Sequence, residues 1–187
     1  TVLSGGTPVI VETKAENSFK LTAQELENAI ANKTKVLILP YPSNPTGAIM
    51  EREDLEEIAK VLENRDIIVI SDEIYSELTF TGKPHVSIAT IGNMREKTVV
   101  VNGFSKAFSM TGWRLGYALG PKEILRQMTK IHQFAIMCAP TMSQYAAIEA
   151  MTSCDEQIEN MVEEYNMRRR LIVDGFNKIG LKCQSQR

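Results

Sequence analysis

The chain has 187 residues, of which 43% are hydrophobic and 24% charged, and its formal net charge is -2. These values are typical of a soluble globular protein with one domain, or with one domain and a piece of another. The charge gives no reason to expect nucleic acid or an anionic membrane as a partner. No apolar run approaches the roughly 20 residues that cross a bilayer, and no signal segment opens the chain.

Cysteine and histidine usage excludes two further classes. The three cysteines are widely separated without a C-x-x-C pair, and there are only two histidines, so neither a zinc site nor a disulfide framework is expected. We interpret His85 and His132 as structural or surface residues. Free cysteines favour a reducing, cytoplasmic compartment. The chain opens with Thr1 rather than Met, which indicates a fragment.

The first half of the chain alternates apolar runs with amphipathic stretches. Residues 8–12 (PVIVE) predict a short strand, and Thr22 with Glu25 forms a capping-box signature for a helix to about Ala31. Residues 35–40 (KVLILP) predict a second strand. The spacing of the apolar residues in 52–64 predicts a helix with one buried face.

The second half begins with further strands and ends in helices. Residues 66–71 (DIIVIS), 98–102 (TVVVN) and 114–120 (RLGYALG) predict strands. Helices are expected over 121–137, 141–152 and 155–179, and the last is long enough to bridge two domains. Apolar strands separated by helices predict an α/β fold: three layers, with a mostly parallel sheet and helices on both faces.

Polar groups follow three of the predicted strands. They are Asn44 after KVLILP, Asp72 after DIIVIS, and Ser105-Lys106 after TVVVN. In open parallel sheets, ligands bind beyond the carboxyl ends of the strands. Each group has an ordinary explanation alone, because Asn44 lies in a turn cluster, Asp72 could cap a helix and most lysines are surface residues. Together they predict a site that gathers an amide, a carboxylate and an amine.

Three ordered motifs carry a family resemblance. The runs 43–47 (SNPTG), 71–75 (SDEIY) and 105–106 (SK), followed by 111–116 (TGWRLG), resemble the class I/II aminotransferases of pyridoxal-phosphate (PLP) fold type I. The resemblance extends over essentially the whole chain in order and spacing. It implies PLP as cofactor and transfer of an amino group between an L-amino acid and a 2-oxo acid.

The resemblance also implies a role for each motif residue. Lys106 would hold PLP as a Schiff base and move the substrate proton, and both tasks need a neutral amine, which partial burial favours. Asp72 would pair with the pyridine nitrogen and keep the ring an electron sink. Asn44 and Tyr75 would hydrogen-bond the ring's 3-oxygen, with Asn44 also on the substrate side.

The phosphate end of the cofactor is assigned to two further residues. Arg114 would bind the phosphate through a bidentate fork, and Ser105 would help it there. Many members of the family carry a serine three residues before the lysine as another phosphate ligand. Here that position is Gly103, so one side-chain contact is expected to be missing.

Several alternatives share the predicted fold. Cystathionine-lyase-like enzymes, which cleave C–S bonds, usually have histidine where this chain has Tyr75. Cyclopropane-forming synthases share the general layout but lack the motif MTGWR that this chain has at 110–114. A transcription regulator with a PLP-sensing domain would need a DNA-binding segment, which these 187 residues do not supply but which could lie upstream of Thr1. A catalytically dead scaffold is disfavoured because each cofactor-contacting residue expected in this range is chemically intact.

The resemblance predicts the organisation around the chain. Residues 1–152 would be most of the PLP-binding large domain, and 153–187 an interdomain helix with the start of a truncated small domain. Complete members of the family are about twice as long and supply a phosphate loop, a ring-stacking aromatic residue and a carboxylate-binding arginine. A cytoplasmic homodimer is implied for the full-length protein. The sequence leaves the amino donor open.

Overall fold

The computed structural model describes residues 1–183. Within them lie five α-helices, which begin and end within two residues of their predicted limits: α1 (Ala23–Ala29), α2 (Arg52–Leu62), α3 (Lys122–Ala135), α4 (Thr141–Ser153) and α5 (Asp155–Lys178). The same part of the chain forms four strands: β1 (Val36–Leu39), β2 (Ile68–Asp72), β3 (Thr98–Gly103) and β4 (Gly116–Leu119).

The four strands form one sheet in the order β1-β2-β3-β4. The first three are parallel, with Leu39 opposite Ser71 and Ser71 opposite Val100, whereas β4 runs antiparallel to β3. A parallel neighbour needs a crossover connection, and the compact loop 104–115 instead returns the chain beside β3. The predicted α/β class with a mostly parallel sheet is therefore confirmed.

The predicted strand at residues 8–12 is wrong. This segment forms no strand, and it is not part of the four-stranded sheet that residues 1–183 build. Val9 and Ile10 are 65% and 80% exposed. A β-strand needs a neighbour to pair its backbone groups, and apolar composition alone does not supply one.

The main core lies between one face of the sheet and helices α1 and α2. Leu55, Ile58 and Leu62 form the buried stripe of α2, and they pack in the same cluster as Leu39 and Val69 from the strands. Ile58, Leu62 and Val69 are fully buried. Burial of such side chains stabilises a fold by roughly 1.5–3 kcal/mol each, so this cluster fixes β1 and β2 relative to the helices.

The opposite face of β1 is exposed. Val36 and Ile38 are 47% and 55% exposed, so the predicted second helical layer does not cover this strand within residues 1–183. A smaller cluster joins Phe104 and Met110, from the loop after β3, to Ala147 and Ala150 of α4. It anchors the segment that contains Lys106. Among the described helices, none combines the length and apolarity required to cross a membrane.

Candidate active site

The sheet topology brings the predicted site residues to one edge. Asp72 ends β2, and Lys106 follows the end of β3. Because Gly103 pairs with Gly116, the antiparallel strand β4 begins at this same edge, and Arg114 lies just before it. The carboxyl ends of three parallel strands and the start of β4 thus meet at one edge of the sheet, and we call the region beside this edge the crevice.

Lys106 is half-buried at this edge. Its Nζ lies 5.5 Å from the centre of the Tyr75 ring, within the distance of a cation–π contact. The amine makes no hydrogen bond or ion pair within residues 1–183. Short turns hold its backbone, since the Lys106 carbonyl accepts from Ser109 N at 3.2 Å and the Phe104 carbonyl accepts from Met110 N at 3.1 Å.

Tyr75 also contacts the polar turn after β1. Asn44 Nδ2 donates to Tyr75 Oη at 3.1 Å, which joins two of the predicted residues directly. The turn around Asn44 is closed by backbone bonds from Ser43 N to Ala48 O and from Gly47 N to Ser43 O, both 2.8 Å. The amide and the phenol are therefore positioned together beside the lysine.

Asp72 is half-buried at the end of β2. Its Oδ1 accepts from Ile74 N at 3.2 Å in a local turn, so it does not cap a helix at Glu73. One bond to a neutral amide leaves most of the acceptor capacity of this carboxylate available.

Arg114 and Ser105 lie on the loop between β3 and β4. Arg114 has a left-handed backbone with φ 52°, and its guanidinium donates to Thr111 O at 2.7 Å. Thr111 Oγ1 in turn donates to Ser105 O at 2.9 Å, so Ser105 contributes its carbonyl to the loop. The exposed guanidinium keeps further donors that match a phosphate or carboxylate.

Steric contacts explain why Gly103 lacks a side chain. A Cβ at this position would lie 2.9 Å from Gly116 Cα and 3.0 Å from Leu115 O. Both contacts are with backbone, which cannot move aside as a flexible side chain could. The close approach of β3 to β4, which brings Arg114 to the crevice, therefore excludes the serine that many members of the family carry here.

Sequence reasoning missed a buried polar cluster behind Asp72. The Glu73 side chain accepts from Ser71 Oγ at 2.8 Å and from Ser87 Oγ at 2.6 Å, and its second oxygen lies 2.9 Å from His85 Nε2. We call Glu73, Ser71, Ser87 and His85 the Glu73 cluster. The structural interpretation of His85 is consistent with its place here.

The fold and the edge residues together define a class of protein: an α/β domain that presents a lysine amine, a carboxylate and a guanidinium at the carboxyl end of a mostly parallel sheet. The chain belongs to the family described as aminotransferase class I and II, whose model matches residues 2–187.

Named relatives are similar over nearly all of the chain. It is 49% identical over 181 residues to a putative aminotransferase, YugH, of Bacillus subtilis, covering 97% of this chain and 47% of the relative. It is 44% identical over 184 residues to an aspartate aminotransferase of Pyrococcus abyssi, covering 96% and 47%. The chain thus spans about half the length of these relatives, and we use "full-length protein" for a polypeptide of their length that carries this sequence.

Two solved aminotransferase structures have the same fold as this chain. An aromatic aminotransferase from Pyrococcus horikoshii OT3 superposes with a TM-score of 0.96 at 41% sequence identity, covering all of this chain and 50% of that one. An aspartate aminotransferase from Thermus thermophilus with maleate gives a TM-score of 0.88 at 38% identity, covering 96% and 47%.

Proposed function

We propose that the full-length protein is a PLP-dependent aminotransferase that transfers an amino group between an L-amino acid and a 2-oxo acid. The observation that carries the proposal is the Lys106 amine, half-buried over Tyr75 without a carboxylate partner in the described chain, at the edge that also receives Asp72 and Arg114. The aminotransferase names of its relatives support the reaction over C–S cleavage or transcriptional regulation.

The donor set fits the cofactor. PLP carries an aldehyde, a ring nitrogen, a ring hydroxyl and a phosphate, and the site offers an amine, a carboxylate, an amide–phenol pair and a guanidinium. When bound, PLP supplies a ring that withdraws electrons from the substrate's α carbon. Each of these four groups thus has a chemical counterpart on that molecule.

Each residue would act on a different part of the cofactor or substrate. Lys106 would hold the cofactor covalently and carry a proton to and from the substrate's α carbon. Asp72 would keep the ring nitrogen protonated, and the Asn44–Tyr75 pair would donate to the ring oxygen. Arg114 and the Ser105 loop would bind the phosphate and so orient the ring.

The surroundings of the site extend the proposal. We assign residues 1–152 to the large cofactor-binding domain and 153–187 to the connection with a smaller domain. We further propose a cytoplasmic homodimer. Exposed apolar side chains on α3 and α4, including Phe134 at 96% and Tyr145 at 71%, support the presence of further protein against these helices.

The test is chemical trapping at Lys106. The full-length protein is incubated with PLP, reduced with borohydride and mapped by peptide mass analysis. We expect the adduct on Lys106 and its loss in Lys106→Ala, while Lys122→Ala, at an exposed position on α3, retains it. An adduct at another lysine, or none in protein that retains Lys106, contradicts the proposal.

A further inference from the structure

The Glu73 cluster lies on the opposite face of β2 from Asp72. Along β2 the side chains of Val69 and Ser71 are buried and those of Ile68, Ile70 and Asp72 are half-buried, which is the alternation of a strand. Glu73 N donates to Val101 O at 2.9 Å and so continues the ladder by one residue. Ser71 and Glu73 therefore lie on one face of β2, and Asp72 lies on the other face.

The two chain neighbours of Asp72 are joined to each other, because the Glu73 carboxylate accepts from the Ser71 hydroxyl. Glu73 is only 4% exposed, and its oxygens receive Ser71 Oγ, Ser87 Oγ and the His85 ring nitrogen. Asp72 itself has a single local bond to Ile74 N. The contacts of Ser71 and Glu73 on the other face of β2 therefore fix the position of Asp72. The oxygens of the Asp72 carboxylate remain available for other partners.

The Glu73 backbone also takes part in the turn that carries Tyr75. Ser76 N donates to the Glu73 carbonyl at 2.9 Å, which closes the turn around Tyr75. His85 and Ser87 come from the segment that returns after this turn, and Ser87 Oγ accepts from Ala89 N at 3.2 Å. The carboxylate of Glu73 thus connects the end of β2 with the segment 85–89, and the backbone carbonyl of the same residue closes the Tyr75 turn.

The charge of Glu73 is maintained despite its burial. Burial alone would raise the pKa of Glu73, but the hydrogen bonds from His85, Ser87 and Ser71 together lower it below the usual value for a glutamate. Across the sheet, the pKa of Tyr117 on β4 is raised by its own burial and by the charges of Glu77 and Glu73. A buried carboxylate is costly, and an apolar residue would fill the same space without that cost.

We propose that the Glu73 cluster is a positioning device, which fixes Asp72 and Tyr75 at the distances that the cofactor ring requires. The inference rests on the proposed function, and it assigns a role to residues that do not themselves face the crevice. Glu73 is a positioning residue because it acts through Asp72 and the Tyr75 turn. A displacement of about 1 Å at such a group costs on the order of a hundredfold in rate.

The experiment compares Glu73→Gln and His85→Gln with wild type and with the reference variant Asp72→Asn, all in the full-length protein loaded with PLP. Three quantities are measured: the pH midpoint of the visible absorbance of the lysine-bound cofactor, the cofactor Kd and kcat. We expect the pH midpoint to move toward that of Asp72→Asn, with kcat reduced roughly 10- to 100-fold.

Asp54→Asn is the matched control for simple loss of stability. Asp54 bonds Lys20 at 2.6 Å and Glu51 N at 2.8 Å near the start of α2, away from the crevice. This variant should lower the thermal midpoint and leave the absorbance midpoint unchanged. If Glu73→Gln does not fold, Ser87→Ala removes one bond of the cluster and is measured instead.

The outcomes separate this inference from the proposed function. Variants of the cluster that lose thermal stability with an unchanged absorbance midpoint and cofactor Kd show that the cluster only supports the fold, and the inference is then wrong. A wild-type protein that forms no trappable adduct at Lys106 overturns the proposed function itself. A shifted midpoint in Glu73→Gln with Asp54→Asn unchanged supports the inference.

Discussion

At the scale of single residues, Asp72 provides the most direct test of the proposed chemistry. Asp72→Ala should leave PLP attached to Lys106 but reduce transamination severely, because an unprotonated ring withdraws electrons poorly. Electrostatic contributions of this kind are worth roughly 3 kcal/mol, which corresponds to a loss of about a hundredfold or more in kcat. Steady-state kinetics and borohydride trapping on the same preparation measure the two effects separately.

Asp66 is the matched control for Asp72. It lies before the other end of β2, where its carboxylate bonds Lys35 at 2.8 Å on the exposed surface. Asp66→Ala removes an aspartate adjacent to the same strand without approaching the crevice, so kcat should remain near wild type. Near-wild-type turnover in Asp72→Ala would remove Asp72 from the mechanism.

The sequence predicted that Asn44, Asp72 and Lys106 follow strand ends at one edge, because the carboxyl ends of parallel strands meet there. Asn44 and Tyr75 are separated by 31 positions, and a hydrogen bond of 3.1 Å joins them. The Glu73 cluster was not predicted, because His85 and Ser87 reach Glu73 through a turn whose path is set by tertiary packing. The sequence signal that could have indicated this cluster is the strand alternation, which places Ser71 and Glu73 on the same face of β2.

At the scale of elements, the capping box of α1 makes a prediction about pH. Thr22 N and Thr22 Oγ1 donate to Glu25 Oε2 at 2.9 and 2.8 Å, and Thr22 Oγ1 accepts from Glu25 N at 3.2 Å. The hydrogen bond from the Thr22 backbone, followed by that from its side chain, lowers the pKa of Glu25 below its ordinary value of 4.5. The stabilisation is therefore fully present above the ordinary pKa and is lost as pH falls through the lowered one.

Two variants test this cap. Thr22→Ala should reduce the free energy of unfolding by about 1 kcal/mol at pH 7, the usual cost of losing an N-cap side chain. Glu25→Gln should be less stable than wild type at pH 7, and the difference should shrink below pH 4.5, as urea unfolding can measure. Glu56→Gln, at an exposed position on α2, controls for loss of a surface carboxylate. A stability difference independent of pH contradicts the role of Glu25.

Local signals predicted the helices better than the strands. The spacing of Leu55, Ile58 and Leu62 fixed the buried face of α2 because a helix satisfies its backbone internally. A strand depends on a neighbour, so residues 8–12 have the composition of a strand without its pairing. The direction of β4 depends on the path of the loop 104–115, and the spacing of apolar residues does not predict the path of a loop.

At the scale of the whole molecule, large apolar side chains lie exposed on two sides of the described chain. They include Val36 and Ile38 on the open face of β1, and Ile131, Phe134 and Tyr145 on α3 and α4. Soluble proteins rarely expose apolar patches larger than a few hundred Å². Because the chain spans about half the length of its relatives, these surfaces are consistent with contacts made by further protein.

The last prediction is that the 187-residue chain, expressed alone, folds as an α/β domain but does not transaminate. It carries Lys106, Asp72 and Arg114, yet family resemblance assigns the ring-stacking residue and the carboxylate-binding arginine to segments outside it. Catalysis depends on holding substrate and cofactor within about 1 Å of the productive geometry, so the loss of these contacts should abolish turnover. Exposed side chains such as Phe134, 96% exposed, should make the chain self-associate.

The measurement uses the purified chain with PLP, a panel of amino donors and 2-oxoglutarate, beside the full-length protein in the same assay. We expect glutamate only from the full-length protein, and size-exclusion chromatography should show the isolated chain as concentration-dependent oligomers. Phe134→Glu should reduce this association without affecting the sheet, because the Phe134 side chain lies almost wholly in solvent on α3. Sustained glutamate formation by the isolated chain, in excess of the enzyme added, would show that the residues at this one edge suffice for the reaction.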